Sequence, residues 1–122
     1  MAAHNAGFIA LVNDAKSRIQ EVQASELPAL MTRTPGLKLI DTREESEYAA
    51  GHVSGAQWMG KGVIERDIET AVPDKSTPLY LYCGGGFRSA LAADALQKMG
   101  YTKVVSVDGG WRVLKDLLPT TK

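Results

Sequence analysis

The stretch LYLYCGGGFRSALAADALQKMG, residues 79–100, decides the fold of this chain. It opens with four apolar or aromatic residues, a composition typical of a buried strand. A cysteine and three consecutive glycines follow. Residues 90–99 are predicted to form a helix, with Ser89 as its N-cap and Gly100 as its C-terminal stop. A strand that leads through a glycine-rich turn into a helix is typical of an α/β protein.

On both sides of this unit, predicted strands alternate with predicted helices. Apolar runs indicate further strands at 37–41, 56–59 and 103–107. Helical periodicity and capping signals indicate helices at 7–22, after Ser25, at 44–50, at 63–71 and at 111–118. The alternation favours a parallel sheet, and 122 residues suit one domain. The sequence therefore predicts a single-domain α/β fold, with a small parallel β-sheet flanked by helices on both faces.

The N-terminal segment, residues 1–24, is predicted to be an amphipathic helix packed on the domain, which itself spans residues 25–122. Phe8, Leu11 and Ile19 belong to an apolar stripe at helical spacing. That stripe needs a surface to cover it, and the adjoining domain is the first candidate. A face for docking or dimerisation is the alternative.

The composition argues against several classes of partner. The 14 basic and 14 acidic residues cancel, so no global field would attract nucleic acid or an anionic membrane. No run approaches the roughly 20 apolar residues of a membrane-spanning helix, and the first residues lack the pattern of a secretory signal. One cysteine cannot form an internal disulfide. We therefore expect a cytoplasmic protein without a nucleic-acid or membrane partner.

Cys83 is the candidate nucleophile. It follows a predicted strand, as Asp41 and Asp108 do, and in parallel sheets functional groups collect at the carboxyl ends of strands. The glycines at 84–86 suit a loop whose amides point at one centre, in front of the positive end of the next helix. Arg88 adds a permanent cation. Together these features favour a thiolate, an anionic sulfur compound or a persulfide in the pocket.

Other interpretations of the same loop are weaker. A lone cysteine is often only a buried apolar residue, but the glycine run and Arg88 argue against that here. The loop matches neither nucleotide-binding glycine pattern, and no lysine follows it. Two histidines and one cysteine at these spacings indicate no metal site, and no cofactor is indicated. His52 lies in a glycine-flanked turn and is interpreted as a hydrogen-bonding turn residue.

At this point the chain resembles a known family. The loop CGGGFRS at 83–89 resembles the active-site loop of the rhodanese family, in which a cysteine opens a loop that ends in arginine or a similar residue. Three further matches occur in the family's order, namely DTR…EY at 41–48, GHVSGA at 51–56 and DGGW at 108–111. Each motif is weak alone, and together they cover about two-thirds of the chain. The resemblance implies the rhodanese fold and a sulfurtransferase.

What the resemblance implies for individual residues is specific. Cys83 would take sulfur from a small anionic donor such as thiosulfate, or from a protein persulfide, and pass it to cyanide or a protein thiol. Substrate binding would fall to the loop and one neighbouring strand end, namely Gly84, Gly85, Gly86, Phe87, Arg88, Ser89 and Arg43. Asp41 would support the site structurally. Alternatively, Asp41 caps its strand end, and Arg43 forms a structural salt bridge with Glu44, Glu47 or Asp41.

Two alternatives to catalysis of sulfur transfer remain open. Many relatives carry a basic residue after the cysteine, where this chain has Gly84, so a dianionic donor has one strong loop cation fewer. A binding or persulfide-relay module that depends on a protein partner is therefore the first alternative. A cysteine-dependent phosphatase or arsenate reductase is the second. Cysteine phosphatases use Cys-x5-Arg, whereas four residues separate Cys83 from Arg88.

Overall fold

The computed structural model describes residues 4–122. Its centre is a five-stranded sheet built from β1 Gln20–Gln23, β2 Lys38–Asp41, β4 Gln57–Trp58, β5 Leu79–Tyr82 and β6 Val104–Asp108. All its neighbouring strands are parallel, in the order β1-β6-β5-β2-β4. Two further short strands, β3 His52–Val53 and β7 Thr120–Thr121, pair antiparallel outside this sheet.

Helices cover both faces of the sheet. They are α1 Ala6–Lys16, α2 Leu27–Arg33 after a 3-10 turn at Ala24–Glu26, α3 Glu45–Ala50, α4 Ile64–Ala71, α5 Phe87–Lys98 and α6 Gly110–Leu114. Strand β5 shows how the faces are filled. Leu79 and Leu81 point into one core cluster with α4 and α5. Tyr80 and Tyr82 point into the other, with α2 and α6.

Alternate side chains of β5 therefore pack into the cores on the two faces of the sheet. The predicted fold class is confirmed. Leu79, Leu81 and Tyr82 are completely buried. Burying a side chain of that size contributes about 1.5–3 kcal/mol relative to exposure. Strand β5 is thus held rigidly on both faces, and it ends directly at Cys83.

The predicted helix at 7–22 is wrong in its second half. Helix α1 ends at Lys16, and β1 forms the edge of the sheet beside β6. The prediction failed because Ile19 and Val22 continue the helical spacing of apolar residues. In the structure, however, these two side chains pack against opposite core clusters. Residues 1–24 thus contribute a strand as well as a helix, and residues 1–3 of that predicted segment lie outside the described residues.

The predicted cap at Ser89 is also wrong. Helix α5 begins at Phe87, with Gly86 as the N-cap at φ +121°, a conformation that favours glycine. Ser89 is consequently buried in the first helical turn. The C-terminal helix predicted to Leu118 ends at Leu114, because the chain turns there to place β7 beside β3. In residues 4–122 no helix is long and apolar enough to cross a membrane.

Candidate active site

The sulfur of Cys83 lies among hydrogen-bond donors at the end of β5. The Gly86 amide donates to Sγ over 3.1 Å, and Ser89 Oγ lies 3.5 Å from Sγ. The thiol of Cys83 donates to Ser89 Oγ, which also shares a hydrogen bond of 2.8 Å with Ser106. When the sulfur is an anion, the Ser89 hydroxyl can instead accept from Ser106 and donate to the sulfur. Cys83 is only 1% exposed. An anionic sulfur at this position would therefore be stabilised by a backbone amide and a serine hydroxyl.

The loop after Cys83 is fixed from behind by the residues around the start of α6. The Trp111 amide donates to the carbonyl of Cys83 over 2.7 Å, and the Arg112 amide donates to that of Gly84 over 3.2 Å. The Gly109 amide donates to the carbonyl of Gly85 over 3.0 Å. Within residues 4–122 no group accepts a hydrogen bond from the amides of Gly84 and Gly85. These amides remain available to a ligand in the cavity that both glycines line.

Replacement of Gly110 by alanine should separate α6 from the loop. Gly110 has φ +50°, and a Cβ atom there would collide with the carbonyl oxygen of Cys83 and lie 3.0 Å from the carbonyl carbon of Gly84. We expect Gly110→Ala to lower the free energy of unfolding by about 2–4 kcal/mol. Urea denaturation followed by circular dichroism measures this loss.

The matched control is Gly36→Ala. Gly36 has φ +76°, but an added Cβ atom would have no neighbour within 4 Å. This control isolates backbone strain, which we expect to cost about 1 kcal/mol. Equal losses in the two variants would show that the contact of α6 with the loop is not needed for the fold.

A cavity of about 440 Å³ opens above the cysteine. It is lined by His4, Phe8, Cys83, Gly84, Gly85, Phe87, Arg88 and Arg112. Two guanidinium groups lie against its loop. A Cβ atom on Gly84 would lie 3.0 Å from Nη2 of Arg88, and one on Gly85 would lie 3.6 Å from Nη1 of Arg112. The cavity thus combines two permanent cations with available amides, which suits an anionic ligand.

Arg88 is held by a carboxylate from α3. Its Nη1 and Nη2 donate to Glu47 over 2.7 and 3.3 Å. This hydrogen bond holds the pKa of Glu47 below its ordinary value, although burial opposes the shift. The hydrogen bond to Glu47 likewise raises the pKa of Arg88. Glu47 also accepts from the Glu44 amide over 3.0 Å, which fixes the start of α3. One residue therefore positions the loop cation and caps a helix.

Arg43 and Asp41 form a buried pair behind the loop. Asp41 is fully buried and accepts from the Arg43 amide, Nε and Nη2 at distances of 2.7–3.1 Å. Burial acts to lower the pKa of Arg43, but the hydrogen bonds to Asp41 together with nearby negative charge, chiefly that of Asp41, outweigh it and the pKa is raised. The guanidinium also lies 4.7 Å from the ring of Trp111, whose amide holds the Cys83 carbonyl. The pair therefore supports the loop through Trp111.

The structure brings most of the predicted site residues together. Cys83, Gly84, Gly85, Phe87 and Arg88 line the cavity. Gly86 and Ser89 lie behind it and contact the sulfur. Asp41 and Arg43 do not line the cavity, and the salt bridge weighed for Arg43 is present with Asp41.

Three cavity residues were missed from the sequence. Arg112 directly follows the DGGW motif, and that position at the start of α6 was the available signal. His4 and Phe8 come from the N-terminal segment, for which no sequence pattern indicated a place at the cavity. Among residues 4–122 no group of three or more His, Cys, Asp or Glu side chains is placed to hold a metal ion.

Comparison with known proteins identifies the family of the chain. The family model for the Rhodanese-like domain matches residues 23–116. Thiosulfate sulfurtransferase PspE of Escherichia coli (strain K12) is 38% identical over 84 residues, which cover 68% of this chain and 77% of PspE. Thiosulfate sulfurtransferase GlpE of Pseudomonas paraeruginosa is 31% identical over 108 residues, 88% of this chain and 92% of GlpE.

Solved structures show the same architecture. A rhodanese with anions from E. coli superposes with a TM-score of 0.63 at 37% identity, over 70% of this chain and 98% of that one. A Rhodopseudomonas palustris protein of unknown function, described as a possible tyrosine phosphatase, superposes with a TM-score of 0.85 at 26% identity over 99% of both chains. The resemblance seen in the sequence motifs is confirmed, and the chain belongs to the rhodanese family.

Proposed function

We propose that this protein is a sulfurtransferase that carries sulfane sulfur as a persulfide on Cys83. The observation that carries the proposal is the setting of the Cys83 sulfur. It accepts a backbone hydrogen bond at the base of a cavity flanked by two guanidinium groups. Relatives named thiosulfate sulfurtransferase support the same reaction class.

In the first step the Cys83 thiolate attacks the outer sulfur of a donor such as thiosulfate. An Sγ–S bond forms, the S–S bond of the donor breaks, and sulfite leaves with the electron pair. Arg88 and Arg112 flank the loop, where they would attract the sulfonate oxygens. The amides of Gly84 and Gly85 would donate to the same oxygens.

In the second step an acceptor removes the sulfur. Cyanide or a thiolate attacks the outer sulfur of the persulfide, and the Sγ–S bond breaks. Its electron pair returns to Cys83 as a thiolate. The Gly86 amide and the Ser89 hydroxyl would stabilise the thiolate both before loading and after release.

Steady-state formation of thiocyanate from thiosulfate and cyanide tests the proposal. We expect saturable turnover that depends on both substrates. If thiosulfate gives none, a glutathione persulfide donor tests the version in which the donor is a persulfide. Absence of transfer from both donors would refute the proposal and favour a module that only binds a partner.

Removing the charge of Glu47 should strengthen binding of an anionic donor. Glu47 shares Arg88 with the donor and adds a negative charge beside the cavity. Glutamine keeps an oxygen for Arg88 and for the Glu44 amide. Because the pair is partly exposed, we expect Glu47→Gln to lower KM for thiosulfate about two- to fivefold, with little change in kcat. An unchanged or higher KM would show that Glu47 does not compete with the donor for Arg88.

The stability of the same variant has a pH signature. The pKa of Glu47 is lowered in the folded protein, so its ion pair stabilises the fold above the ordinary value of 4.5 and is lost as the pH falls below it. The free energy of unfolding of the wild type should therefore exceed that of Glu47→Gln by at most about 1 kcal/mol near neutral pH. In acid the difference should vanish.

A second candidate function, a cysteine-dependent phosphatase, is favoured by one comparison. The structurally similar R. palustris protein is described as a possible tyrosine phosphatase. The loop here argues against it, because Cys83 and Arg88 are separated by four residues and not by the five of cysteine phosphatases. Turnover of an aryl phosphate that is lost in Cys83→Ser would support this candidate over sulfur transfer.

The wider setting stays a prediction. We propose a cytoplasmic protein whose lone thiol is kept free by a reducing compartment. Its partners would be a small anionic sulfur donor and a protein thiol or persulfide, with no role for nucleic acid or a membrane.

A further inference from the structure

The cavity has an aromatic wall that the sulfur-transfer chemistry does not use. Phe87 from the loop and Phe8 from α1 lie with their ring centroids 6.0 Å apart. The His4 ring lies 4.8 Å from Phe87 and 5.2 Å from Phe8. All three side chains line the same cavity as Cys83. The anion-binding loop therefore faces a surface suited to an apolar or aromatic group.

This wall depends on a helix outside the residues that match the family. The family model begins at residue 23, whereas Phe8 belongs to α1. The helix is anchored by Val12 and Ala15, which are buried, and by Arg18, which lies two residues beyond its C-terminal residue Lys16. Arg18 Nη2 and Nε donate to Asp94 of α5 over 2.7 and 3.0 Å. Phe8 is therefore held in place at the cavity by packing and an ion pair.

The cavity is larger than a bare inorganic donor needs, and part of its wall is apolar. Its volume of about 440 Å³ falls in the range of roughly 300–1,000 Å³ found for sites that bind organic ligands. Thiosulfate has no apolar surface to place against Phe8 and Phe87. A ligand that fills both the loop side and the aromatic side of the cavity would carry an anionic sulfur group near Arg88 and an apolar group near Phe8 and Phe87.

We propose that Phe8 and Phe87 form a specificity subsite for an aryl or comparable apolar group on the sulfur donor. The inference rests on the sulfurtransferase function proposed above. With an arylthiosulfonate, the Cys83 thiolate attacks the terminal sulfur and forms the Sγ–S bond. The S–S bond of the donor breaks, and an arylsulfinate leaves with the electron pair. The aryl ring stays against Phe8 and Phe87 while the sulfur transfers.

Competition between donors tests the subsite. We would measure kcat/KM for benzenethiosulfonate and methanethiosulfonate, with cyanide as acceptor, in wild type and in Phe8→Ala. A substitution that changes the reactivity of Cys83 alters kcat/KM for both donors equally, so it leaves the ratio of the two values unchanged. We expect the preference of the wild type for the aryl donor to fall about tenfold in Phe8→Ala. Leu11→Ala on the same helix, where Leu11 is 56% exposed and away from the cavity, should keep the wild-type ratio.

A variant that retains apolar bulk at residue 8 controls for the possibility that Phe8→Ala unfolds α1. Phe8→Leu keeps a large apolar side chain and should lose only part of the aryl preference. A ratio that stays at the wild-type value in folded Phe8→Ala would overturn the proposal.

Binding without chemistry separates this inference from the proposed function. On Cys83→Ser, isothermal titration calorimetry would compare benzenesulfinate with methanesulfinate. Tighter binding of the aryl product, lost in Cys83→Ser with Phe8→Ala, supports the subsite whether or not sulfur is transferred. Equal affinities overturn the subsite even when turnover is present. A binding preference without any transfer would instead overturn the sulfurtransferase function.

Discussion

Cys83→Ser is expected to reduce thiocyanate formation by at least about a thousandfold. A serine hydroxyl is not ionised at neutral pH and cannot form a persulfide, so both steps of the transfer lose their carrier. The substitution nearly preserves volume at a position that is 1% exposed, and the hydroxyl can still accept from the Gly86 amide. We therefore expect the fold to be retained, as judged by urea denaturation.

The single cysteine makes this experiment clean. Because Cys83 is the only cysteine in the sequence, no second thiol can take over the sulfur. Prior alkylation of the wild type with iodoacetamide should produce the same loss as the substitution. Thiocyanate formation by Cys83→Ser above one-tenth of the wild-type rate would show that the cysteine is not the carrier.

Arg43→Ala is expected to be the most destabilising of the proposed substitutions. Asp41 is fully buried, and its carboxylate receives hydrogen bonds from three donors of Arg43, namely the backbone amide, Nε and Nη2, at the end of β2. Removing the guanidinium leaves the buried carboxylate without its ion-pair partner and with the backbone amide of residue 43 as its remaining donor from that residue, which costs about 3–5 kcal/mol. Urea denaturation at neutral pH measures the change.

Arg66→Ala is the matched control for this substitution. Arg66 is also paired with an aspartate, Asp67, but the two side chains are 74% and 40% exposed. Its loss should cost at most about 1 kcal/mol. If Arg43→Ala costs no more than this control and instead raises KM for thiosulfate, Arg43 binds the donor and its support of the loop is secondary.

The core of the fold was accessible from the sequence because local signals agreed there. Strand β5 alternates between the two cores, and its four apolar residues lead into a glycine run, so composition and spacing indicate one structure. Strand β1 was missed for the opposite reason. QEVQ has no alternation, and its place is fixed by pairing with β6, which lies far away in the sequence.

The site was predictable only where its residues are close in the sequence. The loop from Cys83 to Arg88 forms one side of the cavity, and its motif was evident. Arg112 and Phe8 enter from α6 and α1, and no local pattern relates them to the cysteine. The predicted role of Ser89 as a helix cap was wrong for a similar reason. Its hydroxyl contacts Ser106, which is distant in the sequence, and the sulfur of Cys83.

Intact mass spectrometry after incubation with thiosulfate tests the central claim most directly. Wild type should gain the mass of one sulfur atom per chain, and cyanide should remove it with release of an equal amount of thiocyanate. Cys83→Ser should gain nothing under the same conditions. If neither thiosulfate nor a glutathione persulfide adds sulfur to the wild type, or if Cys83→Ser gains it equally, Cys83 does not carry sulfur and the account is wrong.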